Sequence, residues 1–241
     1  GIPAVRRYGL SATLDVSLKK TNESGAIWIR GLCGRIAYDV SASDLIELGF
    51  LKRPTIHFVR YDGPNLPVAW SAKTIELGIV HNAARNDQIV RIALEQVEAG
   101  RRVLIDVERI PHGRLLTDAL KAVLPPGRVS WLCGAHVRST RVAALQEFAS
   151  GRCPVLVSTL LSEGNDIPQL ETVIVASGGK SDIATMQRMR NLTALPGKGD
   201  VAIYDFSDEG QRHLRNHTAQ RLKTYRSERA FVVKVDDRRG G

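Results

Sequence analysis

A series of short apolar runs rich in β-branched residues most constrains how this chain can fold. These runs are Arg102–Val107, Val129–Leu132, Pro154–Thr159, Thr172–Ser177 and Val201–Phe206. Their near-continuous apolar character is typical of parallel strands that are covered on both faces. Helical patterns lie around them, at Ala83–Ala99, Pro111–Leu124, Val137–Ser150 and Ser181–Leu192. The alternation predicts an α/β fold with a doubly wound parallel sheet, whose ligands bind at the carboxyl ends of the strands.

The two ends of the chain have different patterns. Before about residue 50 we predict a lone strand, a second extended segment and a short helix with Ser41 as its N-cap. An extended crossover and a turn-rich loop then lead into the main domain. These five segments are Arg6–Ala12, Ile36–Val40, Ser41–Phe50, Leu51–Val59 and Asp62–Pro67. The charged C-terminal end, Asp236–Gly241, is expected to fray.

Composition bounds the partners and the compartment. The chain has 241 residues and a formal net charge of +9, which suits a polyanionic partner, although solubility alone would also account for it. Aromatic residues make up 5% of the chain, so base stacking is not expected to dominate a nucleic-acid contact. The cysteines, Cys33, Cys133 and Cys153, lack C-x-x-C spacing and fit thiols in a reducing compartment. Without an apolar span, a signal-peptide pattern or an initial Met, we expect a cytoplasmic piece of a longer protein.

Two segments imitate well-known sites. Ser177–Ser181 (SGGKS) follows a predicted strand, but the pattern G-x-x-x-x-G-K-[ST] requires Gly at position 174, where Ile174 lies inside the strand. We therefore predict that it is not a nucleotide-binding loop, while leaving open a contact of its amides with a nucleic-acid phosphate. His213 and His217 have the i, i+4 spacing of zinc ligands but no intervening glutamate. An exposed basic helix face is the preferred interpretation, and we expect no metal site.

Three further segments combine residues suited to phosphate and nucleotide contacts. Arg7–Thr13 (RYGLSAT) ends in small and hydroxyl residues, and Pro154–Pro168 (PVLVSTLLSEGNDIP) has hydroxyls at a strand end with acids just beyond it. Gln187–Asn191 (QRMRN) carries two arginines within a predicted helix. Hydroxyls suit backbone phosphates, an acid suits a ribose hydroxyl, and arginines suit a γ-phosphate. Taken singly, each residue also has an ordinary structural interpretation as a cap, a turn former or a solvated charge.

In this order the segments resemble the superfamily 2 DEAD/DEAH-like helicases. RYGLSAT resembles motif III, which ends the first RecA-like lobe, and QRMRN resembles motif VI. VLVSTLLSEGNDIPQLETVIV (Val155–Val175) is close to motif V and is the most specific match. RRVLIDVERIPHGRLL (Arg101–Leu116) is similar to motif IV, and LCGAH with RVAALQEFASG is similar to the motif IVa region. GRIAYDVSASDLIELGFLKRP (Gly34–Pro54) is most similar to the phage and repair branch, so the resemblance covers essentially the whole chain.

The resemblance implies a RecA-like sheet and a set of site residues. The nucleic-acid backbone would be contacted by Thr159, Ser158, His112 and Gly134, and the nucleotide by Gly164 and Asp166. Ser11, Ala12 and Thr13 would couple the lobes, and Gln187, Arg188 and Arg190 would line the ATP cleft with an arginine finger. The chain would divide into 1–48 as the end of the first RecA-like lobe, 49–70 as a linker, 71–206 as the second lobe, and 207–241 as a basic helix and tail.

Two positions depart from the family pattern. Motif III normally continues S-A-T-P, whereas Leu14 follows Thr13, which relaxes a turn without removing a ligand. Motif VI normally reads Q-R-x-G-R-x-x-R, whereas Arg188 and Arg190 are two positions apart, as though the Gly were deleted. At about 100° per residue, this deletion rotates Arg190 around the helix relative to Arg188 unless the helix start also shifts.

The first hypothesis is therefore a C-terminal motor lobe of an ATP-dependent helicase or translocase, from a bacterial or phage-infected cell. It would bind nucleic acid, DNA in preference to RNA, and close over ATP and Mg²⁺ held mainly by an N-terminal lobe. The sequence contains neither a Walker A pattern nor a D-E-x-[DH] box, so we predict that this chain alone does not hydrolyse ATP. The alternative is an ATPase-inactive nucleic-acid-binding module. A metabolic nucleotide-binding enzyme is disfavoured because no G-x-G-x-x-G follows any strand.

Overall fold

The computed structural model describes residues 31–38, 40–67, 72–160, 170–179 and 200–239, and the single positions 9 and 167. Within these ranges, a sheet of seven strands has the order β3-β4-β2-β5-β6-β1-β7, and every neighbouring pair is parallel. The strands are β1 Arg53–Arg60, β2 Val103–Asp106, β3 Val129–Leu132, β4 Val155–Ser158, β5 Thr172–Val175, β6 Asp200–Ser207 and β7 Val232–Asp237. The predicted doubly wound parallel sheet is confirmed.

Helices cover the sheet within the same ranges. They are α1 Ala42–Glu47, α2 Ala72–Ile75, α3 Ala83–Glu98, α4 Ile110–Val123, α5 Arg138–Ala149 and α6 Arg212–Arg226, and a π-helical turn, Glu76–Val80, follows α2. The predicted Ser41 cap is confirmed, because Ser41 and Asp44 form a reciprocal capping box at the start of α1. Asn82 caps α3 by accepting a hydrogen bond from the backbone N–H of Arg85. None of the helices within the described ranges is long and apolar enough to cross a bilayer.

Side chains alternate between two cores, one on each face of the sheet. The first core contains Leu104, Leu156 and Val173 from the central strands, together with Phe148 of α5 and Tyr225 of α6. The second contains the neighbouring positions Val103, Ile105, Val155 and Val157, together with residues of α3 and α4 such as Ile92 and Leu116. Burial on both faces explains why these strands have continuous rather than alternating apolar sequences.

Two segments predicted to lie outside the sheet are strands of it. Most of Leu51–Val59, predicted as an extended crossover, belongs to β1, which pairs with β6 on one side and β7 on the other. The prediction was wrong because charged residues and Pro54 flank a run whose Ile56, Phe58 and Val59 are fully or almost fully buried. The C-terminal end was predicted to fray, yet Asp236 and Asp237 end β7. The residues of Ile36–Val40 that are described do not form a strand. The division into lobes stays a prediction.

Candidate functional site

The carboxyl ends of β3, β4 and β2 lie side by side at one edge of the sheet, as the strand order requires. Gly134 lies two residues beyond β3 and is exposed, whereas Thr159 directly follows β4 and is half-buried. The backbone N–H of Thr159 donates to the carbonyl of Leu132 at 3.1 Å, which joins the ends of the two strands. Two residues assigned to the nucleic-acid backbone by the family resemblance are thus brought to neighbouring strand ends.

Ser158 and Thr159 differ in what surrounds them. The Ser158 side chain is fully buried, and its Oγ accepts a hydrogen bond from the backbone N–H of Leu160 at 3.0 Å. This bond stabilises the turn in which β4 ends, a usual role of serine at a strand terminus. Thr159 lies one residue further out, where the chain reaches the edge of the sheet.

His112 lies in the first turn of α4 with its ring inside the domain. The residue is 1% exposed, and its Nε2 is 2.9 Å from Oδ1 of Asn86. Burial lowers the pKa of His112 to about 3, and the electrostatic effects of Arg85 and then His81 act in the same direction. The imidazole is therefore neutral at physiological pH. A nucleic-acid contact of His112 stays a prediction, and its ring has a structural place between α3 and α4.

The glycine after His112 determines how closely α4 packs on the sheet. A Cβ atom at Gly113 would lie 2.1 Å from the ring of Trp131, which belongs to β3. Only a glycine lets the helix backbone approach an indole ring this closely. The first turn of α4 is thereby held against the same strand that leads to Gly134.

In Ser177–Gly179, the described part of the SGGKS segment, the carbonyls of both glycines face the buried side chain of Arg221. Arg221 Nη1 donates to the carbonyls of Gly178 and Gly179, at 3.2 and 2.9 Å. Gly178 has a φ of +63°, and a Cβ atom at this position would lie 2.7 Å from Ile79, so glycine is required here. A phosphate-binding loop instead presents its backbone N–H groups to its ligand. That this segment is not a nucleotide-binding loop stays a prediction, since Lys180 and Ser181 lie outside the described ranges.

Two buried arginines organise the carboxyl ends of β5 and β6. Arg85 of α3 is 0% exposed; its Nε donates to Oδ1 of Asp208 at 2.8 Å, and its Nη1 donates to the carbonyl of Ala176 at 2.8 Å. Its guanidinium lies 4.7 Å from the centre of the Phe206 ring. The hydroxyl of Tyr61 donates to the same Asp208 oxygen at 2.8 Å. Burial and then the charge of Asp208 raise the pKa of Tyr61, which keeps this hydroxyl protonated.

Arg221 of α6 is the second buried arginine. Its Nε donates to both carboxylate oxygens of Asp205, at 3.2 and 2.9 Å, and its Nη2 lies 3.4 Å from Oδ2 of Asp208. Tyr225 donates its hydroxyl to Asp205 at 2.7 Å. Burial disfavours the charged guanidinium, but the two carboxylates outweigh it and raise the pKa of Arg221. The pair of arginines and the pair of aspartates thus balance each other in the interior of the protein.

This buried network, Arg85, Asp205, Asp208 and Arg221, fixes the backbone where β5 and β6 end. Its guanidinium groups bond to the carbonyls of Ala176, Gly178, Gly179 and Phe206. The network was not predicted from the sequence. A signal was present, because an aspartate within the otherwise apolar run Val201–Phe206 can be buried only with a charged or hydrogen-bonding partner.

Several predicted site residues lie outside the described ranges. They are Ser11, Ala12 and Thr13, Gly164 and Asp166, and Gln187, Arg188 and Arg190. The predicted strand Arg6–Ala12, apart from Gly9, and the predicted helix Ser181–Leu192 lie outside them as well. Across the described part of the chain, no group of three His, Cys, Asp or Glu side chains could hold a metal ion. Cys133 and His136 instead form a local turn after β3, in which the backbone N–H of Cys133 donates to His136 Nδ1 at 3.0 Å.

Comparison with known proteins shows that the chain is similar to helicases. Residues 84–190 match the helicase conserved C-terminal domain. The chain is 26% identical over 204 residues to "Putative helicase 22" of a Sulfolobus islandicus filamentous virus, a match that covers 76% of this chain and 34% of the viral protein. This chain therefore spans only about a third of the viral relative's length.

Two solved structures have a similar fold. UvsW of T4 has a TM-score of 0.62 and 18% identity, and the match covers 78% of this chain and 42% of UvsW. Dbp5 of S. cerevisiae, bound to RNA and ADP BeF3, has a TM-score of 0.59 and 14% identity, with 90% of this chain and 49% of Dbp5 covered. At these identities the likeness shows the fold alone.

Proposed function

We propose that this chain, whose residues 84–190 match the helicase conserved C-terminal domain, is the C-terminal RecA-like lobe of a superfamily 2 helicase. In this role it would bind the nucleic-acid backbone and complete an ATP cleft. The backbone would lie along the carboxyl ends of β3, β4 and β2. The ATP and its Mg²⁺ would be held mainly by a preceding RecA-like lobe. The parent protein would use this arrangement to translocate along or unwind nucleic acid.

The observation that carries the proposal is the convergence of predicted contact residues at one edge of a parallel sheet. Gly134 follows β3 and Thr159 follows β4, and these strands are neighbours. Loops at the carboxyl ends of parallel strands form the ligand edge of doubly wound folds. An exposed glycine amide and a threonine hydroxyl are groups that contact phosphates without reading base sequence.

The nucleotide side of the proposal comes from the family resemblance. Gly164 and Asp166 would face the nucleotide, Gln187, Arg188 and Arg190 would line its γ-phosphate, and Ser11, Ala12 and Thr13 would couple the lobes. The chain contains no Walker A pattern and no D-E-x-[DH] box. We therefore expect the purified 241-residue chain to show no ATP hydrolysis, with or without DNA; measurable DNA-stimulated turnover would contradict this division of roles.

The backbone contact is tested at Thr159. Fluorescence anisotropy with labelled DNA oligonucleotides of unrelated sequence should show that Thr159→Ala weakens binding about ten- to hundredfold, the effect of losing one hydrogen bond to a charged group. The weakening should be similar for every sequence, because phosphates carry no sequence information. Thr159→Ser keeps the hydroxyl and should bind nearly as well as the unmodified chain. Equal binding by the alanine variant, or a loss confined to one sequence, would contradict the assigned role.

An ATPase-inactive nucleic-acid-binding module is the second candidate function. The specific observation in its favour is the shortened spacing of Arg188 and Arg190 in the segment that resembles motif VI. Sequencing the gene upstream of Gly1 discriminates the two: an intact G-x-x-x-x-G-K-[ST] pattern there supports the motor, and its absence supports the binding module. DNA is proposed over RNA from the family branch, although Dbp5 is an RNA-bound relative in fold. Matched DNA and RNA oligonucleotides in the same anisotropy assay test this preference.

A further inference from the structure

We propose that the outer face of α6 is a second contact for the nucleic-acid backbone, outside the edge formed by β3, β4 and β2. This inference rests on the proposed function, since it extends the path of the same polyanion. The outer stripe consists of Arg212, Arg215, Lys223 and Arg226, all of which are exposed.

Helix geometry places these four cations on one side of α6. At about 100° per residue they fall within an arc of about 80°. The buried residues Leu214, Thr218, Arg221 and Tyr225 face the opposite side. From Arg212 to Arg226 the stripe is about 21 Å long, at about 1.5 Å per residue, which equals about six base-pair rises of a duplex. The stripe therefore has the length and the straightness to follow a phosphate backbone.

The described residues around α6 do not neutralise these four positive charges, so the charges can attract a polyanion. Helix α6 contains no Asp or Glu. Among the described residues, no carboxylate forms an ion pair with any of the four, and the Arg215 guanidinium donates to the backbone carbonyl of Glu209 at 3.0 Å. By contrast, the neighbouring Arg229 is paired with Asp44 and Glu47. The outer stripe thus differs from an ordinary exposed surface, on which charges of both signs alternate.

The placement of Arg212 and Arg215 is unfavourable for the helix itself. Both lie at the N-terminal end of α6, where no acidic residue is present in the first turn. The positive end of the helix dipole repels cations at this end and attracts them only at the other, where Lys223 and Arg226 lie. The helix dipole therefore favours the positions of Lys223 and Arg226 but disfavours those of Arg212 and Arg215. A polyanionic ligand accounts for all four positions.

The topology connects this stripe to the first contact. Helix α6 begins just after β6, at the same carboxyl edge of the sheet as Thr159. The strand order separates β6 from β4 by three strand spacings, or about 14 Å. The N-cap Gln211 already accepts hydrogen bonds from the backbone N–H groups of His213 and Leu214, so binding would fall to the arginine and lysine side chains.

The experiment compares two variants of the full chain with equal charge loss. One replaces Arg212, Arg215, Lys223 and Arg226 with alanine, and the other replaces the exposed cations Arg53, Arg91, Lys121 and Lys234 of β1, α3, α4 and β7. Binding to a labelled DNA duplex of about 30 base pairs is measured from about 50 to 200 mM salt. The outer-stripe variant should bind at least about tenfold more weakly at the low-salt end, with a salt slope smaller by about 2 to 3, because each lost phosphate contact removes about 0.9. The matched control should stay within about threefold and keep its slope.

The possible outcomes separate this inference from the proposed function. If the unmodified chain binds no DNA, the proposed function fails and the inference falls with it. If the chain binds and the two variants lose affinity equally, the charges act only through the overall field, and the inference alone is wrong. If the outer-stripe variant keeps its DNA affinity but loses binding to phosphatidylserine vesicles, the stripe binds lipid, and the inference is overturned. Circular dichroism of both variants checks that the helix content of the unmodified chain is kept.

Discussion

Helix α6 carries arginines on two faces, and the two faces have opposite environments. On the inner face, Arg221 is 1% exposed and binds Asp205, Asp208 and the carbonyls of Gly178 and Gly179. On the outer face, Arg212, Lys223 and Arg226 are exposed, and no ion pair is seen for them within the described ranges. Cationic side chains therefore stabilise the fold on the inner face and are exposed to solvent, where they can bind a ligand, on the outer face. Burial and the presence of aspartates, not the residue type, decide the role.

The largest expected effect is the loss of stability caused by a substitution on the inner face of α6. Arg221→Met keeps a similar volume but leaves the buried carboxylate of Asp205 without its cation. We expect a loss of about 3–5 kcal/mol in the free energy of unfolding, the usual consequence of removing one partner from a buried pair. Urea denaturation measures this loss. Arg226→Met on the outer face is the control and should change stability by no more than about 0.5 kcal/mol. If the two variants lost similar amounts of unfolding free energy, the two faces of α6 would not differ in their contribution to stability.

A smaller effect concerns a neutral group beside the inner network. The pKa of His112 is lowered to about 3 in the folded protein, mainly by burial, whereas the unfolded chain titrates near its ordinary value of 6.5. The stability that this histidine contributes is therefore full above pH 6.5 and is lost as the pH falls toward 3. Between about pH 7 and pH 5 the expected loss is about 2 kcal/mol.

Denaturation at several pH values measures that loss, with His112→Gln as the control. Glutamine can still bond to Asn86 but does not titrate in this range. Its stability should change less than that of the unmodified chain between about pH 7 and pH 5. If the two proteins show the same pH dependence, another group is responsible and the ring of His112 is not held neutral.

The smallest expected effect comes from a substitution on the outer face of α6 that raises the stability of the protein while it lowers its DNA affinity. Arg212→Glu places a negative charge at the N-terminal end of α6, where the helix dipole favours it by about 0.3–1 kcal/mol. The variant should be slightly more stable than the unmodified chain and should bind DNA more weakly. Arg212→Gln, which removes the charge without reversing it, should fall between the two in both measurements. A variant that loses stability would show that Arg212 has a structural role after all.

The sequence predicts the strands of the sheet well and the buried charges poorly. The bounds of the runs from Arg102 to Phe206 match those of β2 to β6 within one or two residues, because strands buried on both faces need continuous apolar residues. Strand β1 was taken for a crossover, because its partners β6 and β7 are distant in sequence and its own ends are charged. Parallel pairing of distant segments leaves no local pattern to detect.

The candidate site divides in the same way. Thr159 and Gly134 could be placed at the sheet edge from the strand order and the family resemblance. The network of Arg85, Asp205, Asp208 and Arg221 could not, since its members are brought together only when α3, β6 and α6 pack around the end of β5. For His112, the sequence gives the residue but not its burial, which requires knowing that α3 covers the start of α4.

The proposed backbone contact is tested most directly by the salt dependence of DNA binding by the full 241-residue chain, measured with two duplexes of unrelated sequence. If the lobe holds the phosphate backbone, the logarithm of the binding constant should fall linearly with the logarithm of salt concentration, with the same slope for both duplexes and a magnitude of about 4 or more. Absence of binding at about 50 mM salt, a slope near zero, or a strong preference for one sequence would contradict a lobe that holds the phosphate backbone.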